Sequence, residues 1–338
     1  MPIQFRREEI TTTFLDPGTG FSPATHHMEF RYDPLTQRRV RLAHMGAISP
    51  LPLDLSSYEN AGFCPFCPSH RENVTPKFLP EFLPQGRLAQ GEALLVPNIS
   101  PYDQYSALVI MSQGHILPLE DLTITRLTDS LDLACWLLSA IREKEKGLLY
   151  EYLGWNYMPP SGGALIHPHL QVLAGHTPPD PSELEGALDF IKRTARGYYQ
   201  AYVEKEIQIG ERYLGHVGEG HWLSAFAPFG VLGEYMCVFP SVYSVKDFTP
   251  EHRRDFASGL QKLFQFFKAE GIFSFNVAFL FGPPDQKFYP VHMRIIPRTF
   301  LNTKECAGDA NMLQMLLQNP LCTIWPEDTC KRAKPFFL

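Results

Sequence analysis

Apolar and polar residues alternate in several short runs of this chain, and a period of two marks a strand with one buried face. Arg39-Val40-Arg41-Leu42-Ala43 is such a run, and it follows the turn signal Asp33-Pro34-Leu35-Thr36, so the segment reads as a hairpin arm. Residues 1–27 carry no usable periodicity and are expected to form an arm or irregular lead-in. Two strands are predicted at 94–98 and 105–111, joined by a proline-rich turn, and two more at 149–156 and 165–173. Between the pairs the spacing changes. Ile124, Leu127, Leu131, Leu138 and Ile141 form one apolar helical face and Gly147 follows, which predicts a helix over 122–146.

The run Thr177-Pro178-Pro179-Asp180-Pro181 then breaks the chain. Ser182 and Glu185 form a Ser-x-x-Glu capping box for a helix predicted to reach about residue 206, with Leu184, Leu188, Ile191 and Tyr198 facing inward. Beyond it the first pattern returns, with strands in 220–229 and 235–240. A helix follows, capped by Thr249 with Pro250 in its first turn and carrying Phe256, Leu260, Leu263, Phe264 and Phe267; strands at 273–281 and 289–297 complete the copy. Strand, strand, helix, strand, strand occurs twice, so the chain reads as an internally duplicated α+β unit. The expected division is an arm over 1–27, a first domain over 28–176 and a second over 177–338.

With 338 residues, 44% of them hydrophobic and 20% charged, the chain can bury a large core and reads as a soluble globular protein. A net charge of -6 supplies no basic stripe for a nucleic acid. The first nine residues lack the apolar core of a signal peptide and no apolar run is long enough to span a membrane, so a cytoplasmic location is expected. Seven cysteines with one close pair do not form a disulfide framework, which fits a reducing compartment.

The candidate chemistry gathers around His167-Pro168-His169-Leu170-Gln171, which ends a run that starts at Asn156 and includes Ser161-Gly162-Gly163-Ala164. On a strand, His167, His169 and Gln171 share one face. They are either packing residues at a strand end or a polar site, and Gly162-Gly163 favours the site because backbone amides there can approach an anion closely. Cys64-Pro65-Phe66-Cys67 admits three readings: a redox dithiol, a zinc knuckle or two inert thiols. The redox reading calls for a helix starting at the first cysteine, against which Pro68 and the polar 69–73 stretch argue. A zinc site needs two more ligands, and His115, in a loop after a strand, and His167 are available. Asn98, beside a turn, reads by itself as an Asx-turn residue. In the second copy the motif position is Val291-His292-Met293-Arg294, which lacks the second histidine.

Taken in order, Asp33-Pro34-Leu35-Thr36, Cys64-Pro65-Phe66-Cys67-Pro68, the His115 loop, His167-Pro168-His169-x-Gln171 and Gly220-His221-Trp222 resemble the galactose-1-phosphate uridylyltransferase family, the transferase branch of the histidine-triad superfamily. The resemblance implies a duplicated histidine-triad-like fold with two antiparallel sheets and packed helices, and a homodimer. It implies that His169 is a nucleophile forming a nucleotidyl-histidine intermediate, that Gln171 hydrogen-bonds the phosphoryl group, and that one structural zinc is held by Cys64, Cys67, His115 and His167. Substrate contacts are implied at Asn98, Asn156, Ser161, Gly162, Gly163 and Gln171. The implied activity moves a nucleoside monophosphate from a nucleotide sugar to a sugar phosphate. A phosphorylase using inorganic phosphate, and a zinc-stabilised nucleotide-binding protein with little catalysis, are the other readings. The chain departs from the family where Met45-Gly46-Ala47-Ile48-Ser49-Pro50 replaces a segment with two phosphate-contacting arginines. It departs again at Asn98-Ile99-Ser100, at Ala164 in place of a serine, at Arg294 in place of a second-metal histidine, and over 306–317, where Asp309 and Asn311 stand instead of the expected sugar contacts.

Overall fold

The computed structural model describes residues 3–44, 51, 54–59, 62–145, 147, 149–283, 286–300, 308 and 310–338. The 45–50 segment that replaces the arginines, together with Cys306 and Asp309, lies outside the described residues. In chain order the strands are β1 (Arg7–Asp16), β2 (Ser22–Tyr32), β3 (Arg39–Ala43), β4 (Leu88–Gln90), β5 (Ala93–Pro97), β6 (Tyr105–Ile110), β7 (Tyr150–Tyr157) and β8 (His169–Gly175). The second half adds β9 (Tyr213–Val217), β10 (Gly220–Ser224), β11 (Tyr235–Val238), β12 (Ser274–Leu280), β13 (His292–Arg298) and the short β14 (Leu321–Cys322).

The duplication is visible in the strand order. One half-sheet runs β4-β5-β6-β8-β7 and the other β9-β10-β11-β13-β12, and they join through antiparallel pairing of β7 with β12 into a single ten-stranded sheet. Each half would otherwise present an unpaired edge at this seam. The fold class is the expected α+β one, with strand pairing in this sheet antiparallel throughout and a second, four-stranded sheet of β1, β2, β3 and β14.

Both long helices lie on one face. Ile124–Lys144 is capped by the Thr123 hydroxyl and Pro250–Ala269 by a capping box between Thr249 and His252. Their apolar stripes, Leu127, Leu131, Leu138 and Ile141 from one and Phe256, Leu260, Leu263, Phe264 and Phe267 from the other, enter one core with Leu153, Trp155, Phe275 and Phe279 of the seam strands. Gly259 is required where the second helix crosses Trp222, since a Cβ would lie 2.3 Å from the indole.

The opposite face is treated differently in the two halves. On the second half it is roofed by helices Pro181–Thr194 and Tyr198–Ile209, whose Leu184, Ala187, Tyr198, Tyr199 and Tyr202 pack on Leu223, Met236, Val238 and Leu280. The expected single helix from Ser182 is thus two: Asp180, not Ser182, is the N-cap, and Ala195 breaks the run in the left-handed region at φ 56°. Among the described residues no such pair of helices covers the first half, and a cleft remains.

Two further expectations are corrected. Residues 7–32 form a hairpin with ten paired positions, not an irregular lead-in. Its period of two was hidden because most of β1 and the first half of β2 are exposed, so polar residues occupy those positions in succession. A helix, Pro68–Val74, does follow the cysteine pair, but it starts after Cys67 and not at Cys64. Among the described residues no helix is long and apolar enough to cross a membrane.

Candidate functional site

Strand β8 begins at His169, and Pro168, which has no N–H to give, closes the approach to it; the ladder is continued by the bond from Met111 N to Pro168 O (3.0 Å). His167 therefore lies just outside the strand, fully buried, while His169 and Gln171 share its open face. The burial of Leu170 and Val172 on the helix-covered side fixes that register.

The His167 side chain meets Cys64, Cys67 and His115, and the four candidate ligand atoms all lie within 4.8 Å of one another. Cys64 Sγ is 3.6 Å and Cys67 Sγ 3.8 Å from His167 Nδ1, and Cys67 Sγ is 3.4 Å from His115 Nδ1. An ion bound tetrahedrally, with metal–sulfur bonds of about 2.3 Å and metal–nitrogen bonds of about 2.0 Å, would hold sulfur and nitrogen about 3.5 Å apart. The cluster has that spacing. His167 Nε2 lies 3.0 Å from the Ser112 carbonyl, and a carbonyl can only accept, so Nε2 carries the proton and Nδ1 is left to coordinate. Burial holds His167 in the neutral form, with its pKa lowered to about 4, and pushes the Cys67 thiol up to about 11 with help from Cys64.

The peptide unit of His167 also orients the next histidine. The His169 Nδ1–H donates to the His167 carbonyl at 2.8 Å, which leaves the Nε2 lone pair for the cleft. Phe66, from between the two cysteines, sets its ring edge-on to His169 at 5.2 Å and to His167 at 6.0 Å. The knuckle thus braces both imidazoles. Burial lowers the His169 pKa below the usual value, partly opposed by the bond to the His167 carbonyl.

A cleft of about 290 Å³ opens in front of His169. The structure brings Asn98, Asn156, Gly162, Gly163, His169 and Gln171 to its wall, with Ala164 among them. Asn98 also makes its Asx turn, accepting from Ser100 N at 2.9 Å. Gly162 sits at φ 77° and commits its N–H to Pro159 O (3.0 Å), so this amide serves the turn and not a ligand. Gly163 packs where a Cβ would come 3.3 Å from the Asn156 Cβ and carbonyl. Ser161 is not brought to the wall: it is buried and its hydroxyl donates to Met158 O at 2.6 Å. Asn311 lies elsewhere, capping a short helix through Leu313 N and Gln314 N. Phe66, Thr75, Ile99 and Tyr102 join the lining. Of these, Phe66 was marked in the sequence by its place inside the cysteine motif and Ile99 by its place beside Asn98 in the segment that departs from the family.

The second copy shows what became of the duplicate. His169 pairs with Ile110 at the end of β6 and His292 with Val238 at the end of β11, and the next residues, Met111 and Phe239, donate their N–H to Pro168 O and Val291 O, so His292 is the counterpart of His169 and Pro290 that of His167. The histidine missing from this copy is the first and not the second. His292 keeps the same ring hydrogen bond, from Nδ1 to the carbonyl two residues earlier (2.8 Å). Its Nε2, however, faces the Glu183 carboxylate at 2.7 Å, and Arg294 bridges Glu183 and Glu234. Burial opposes ionisation of Glu183, but the His292 bond and charge and the Arg294 charge outweigh it and hold the carboxyl well below its usual range.

No protein-family profile matches the chain. It is 25% identical over 304 residues, 88% of each chain, to an uncharacterized protein of Archaeoglobus fulgidus. Among solved structures it is similar to a GalT-like protein of Arabidopsis thaliana (TM-score 0.65, 18% identity, 90% of this chain and 98% of that one). An ADP-glucose phosphorylase of Arabidopsis thaliana with bound ADP-glucose (0.66, 16%, 91% and 98%) and a uridylyltransferase (0.65, 19%, 91% and 98%) are similar to the same degree. The chain has the fold of these galactose-1-phosphate uridylyltransferase-like proteins.

Proposed function

We propose that this chain transfers a nucleoside monophosphate from a nucleotide sugar to a phosphate-bearing acceptor, with His169 as the covalent carrier. The observation that carries the reading is the orientation of His169: its Nδ1–H is tied to the His167 carbonyl and its Nε2 is left for the cleft of about 290 Å³ that it lines. In the first step the Nε2 lone pair attacks the α-phosphorus. A P–N bond forms, the P–O bond to the sugar phosphate breaks, and the sugar phosphate leaves with its electron pair. The imidazole becomes cationic, and the carbonyl on Nδ1–H stabilises that charge. In the second step an oxygen of the acceptor phosphate attacks the same phosphorus and regenerates neutral His169. Both leaving groups depart without a proton, so the site needs no general acid. Gln171, which can donate a hydrogen bond but not a proton, suits that chemistry.

Cys64, Cys67, His115 and His167 are the residues that would hold the metal, and an S₂N₂ tetrahedral set suits zinc. Bound there, zinc fixes the knuckle and the start of β8 without an open position for substrate. The acceptor is a sugar phosphate in this reading; inorganic phosphate, as in a phosphorylase, uses the same His169 chemistry. The test is product analysis with metal-replete protein, a panel of uridine and adenosine nucleotide sugars, and either hexose 1-phosphates or inorganic phosphate. A new nucleotide sugar establishes transfer to a sugar phosphate, and a nucleoside diphosphate establishes phosphorolysis. Absence of both products from the whole panel overturns the proposal.

A further inference from the structure

The seam between the two copies runs a polar chain into the cleft. Asn156 of β7 is register partner to Asn276 of β12, and Arg298 of β13 lies on the same sheet face, two residues beyond the Asn276 partner Ile296. The Arg298 guanidinium donates to Asn276 Oδ1 at 2.9 Å. Asn276 Nδ2 donates to Asn156 Oδ1 at 2.6 Å and to the Ser161 carbonyl at 2.9 Å. The direction of the chain is forced by its ends. A guanidinium has only donors, so it must meet the oxygen of Asn276, and a main-chain carbonyl only accepts, so it must meet the nitrogen. Asn156 is left to present its oxygen to Asn276 and its Nδ2 donor to the cleft wall it lines.

We propose that Arg298 is a positioning residue for nucleotidyl transfer: through Asn276 it orients and polarises Asn156 so that the Asn156 amide N–H is aimed at a phosphoryl oxygen in the His169 cleft. The inference rests on the transfer reading above and adds residues of the second copy to it. It also supplies a cationic influence in a chain whose residues 45–50 include none of the arginines implied by the family resemblance. The two amide dipoles lie head to tail between the guanidinium and the cleft, so a positive charge outside the pocket strengthens a donor inside it. Such a donor matters most when negative charge grows on the phosphoryl oxygens, and its loss should lower kcat more than it raises KM.

The test compares Arg298→Met, Arg298→Lys, Asn276→Asp and Asn156→Ala. The readouts are the rate of nucleotidyl adduct formation on His169, the separate kcat and KM for turnover, and the urea midpoint. Removing a direct donor costs about a hundredfold in kcat, and that is the expectation for Asn156→Ala. Arg298→Met, one step back, should slow adduct formation about tenfold, with Arg298→Lys restoring most of it. Asn276→Asp reverses the chain: an acceptor-only carboxylate, still paired with Arg298, makes Asn156 turn its Nδ2 inward and its oxygen to the phosphate. Its rate should fall as far as that of Asn156→Ala. If the wild type forms the adduct and folded Arg298→Met and Asn276→Asp form it at the wild-type rate, the proposal is overturned while the transfer reading stands. If the wild type forms no adduct, the transfer reading has failed, and this proposal with it.

Discussion

Replacing Glu183 by glutamine tests the account of the second copy. The carboxylate accepts from Tyr289 OH (2.9 Å), from His292 Nε2 (2.7 Å), from Arg294 (3.2 Å) and from Tyr199 OH, and it is buried. A glutamine keeps one acceptor and sets an NH₂ group against surrounding donors, leaving part of the cluster unmatched. Removing one partner of a buried ion pair costs about 3–5 kcal/mol. Arg294 retains Glu234, so the low end, about 3 kcal/mol, is expected. The assay is equilibrium denaturation in urea, where the midpoint should fall at unchanged slope. The pH dependence has a definite sign. A carboxyl held below its unfolded value of 4.5 contributes stability that is present above that pH and is lost as the pH falls through and beneath it. The variant should therefore lose less stability than the wild type between neutral and acid pH. A loss under about 1 kcal/mol, comparable to an exposed pair, together with an unchanged acid limb, would refute the idea that this carboxylate closes the duplicate site.

The remaining expectations concern the first copy. Purified protein should carry one zinc ion per chain, and Cys64→Ala should lose it in metal analysis. Two thiols must ionise to bind it, so apparent affinity in a competition assay should rise by about a hundredfold per pH unit near neutrality. Gly163→Val should lower kcat/KM by about tenfold or more, about 1.4 kcal/mol, because the added atoms press on Asn156 from 3.3 Å. Since burial depresses the His169 pKa, the acid limb of the transfer rate should lie below pH 6.5, the nucleophile losing its lone pair only as the pH drops through the lowered value.

Much of this was legible in the chain because it was local. Each long helix announced itself through a 3.6-residue stripe, the second also through a threonine cap, and Cys64-x-x-Cys67 with His115 and His167 carried enough chemistry to suggest a metal cluster, whereas a nucleophile at His169 was implied only by the family resemblance. What stayed hidden depended on partners distant in sequence. Nothing near Asn276 or Arg298 marks them, since their relation to Asn156 exists only once β12 pairs with β7. The identity of His292 as the counterpart of His169 likewise needs the pairing of β6 with β8 and of β11 with β13. The β1–β2 hairpin escaped because it buries too little to show alternation. Asp180 outcompeted Ser182 as a cap because Pro181 could then occupy the first turn, where its missing N–H costs nothing.

The most direct measurement is intact-protein mass spectrometry of metal-replete protein incubated with UDP-glucose and ADP-glucose in the absence of acceptor. The account predicts one acid-labile nucleotidyl adduct per chain, mapped to His169, absent from His169→Asn and discharged on adding the acceptor phosphate. No adduct from any nucleotide sugar, or an adduct that persists in His169→Asn, would contradict it.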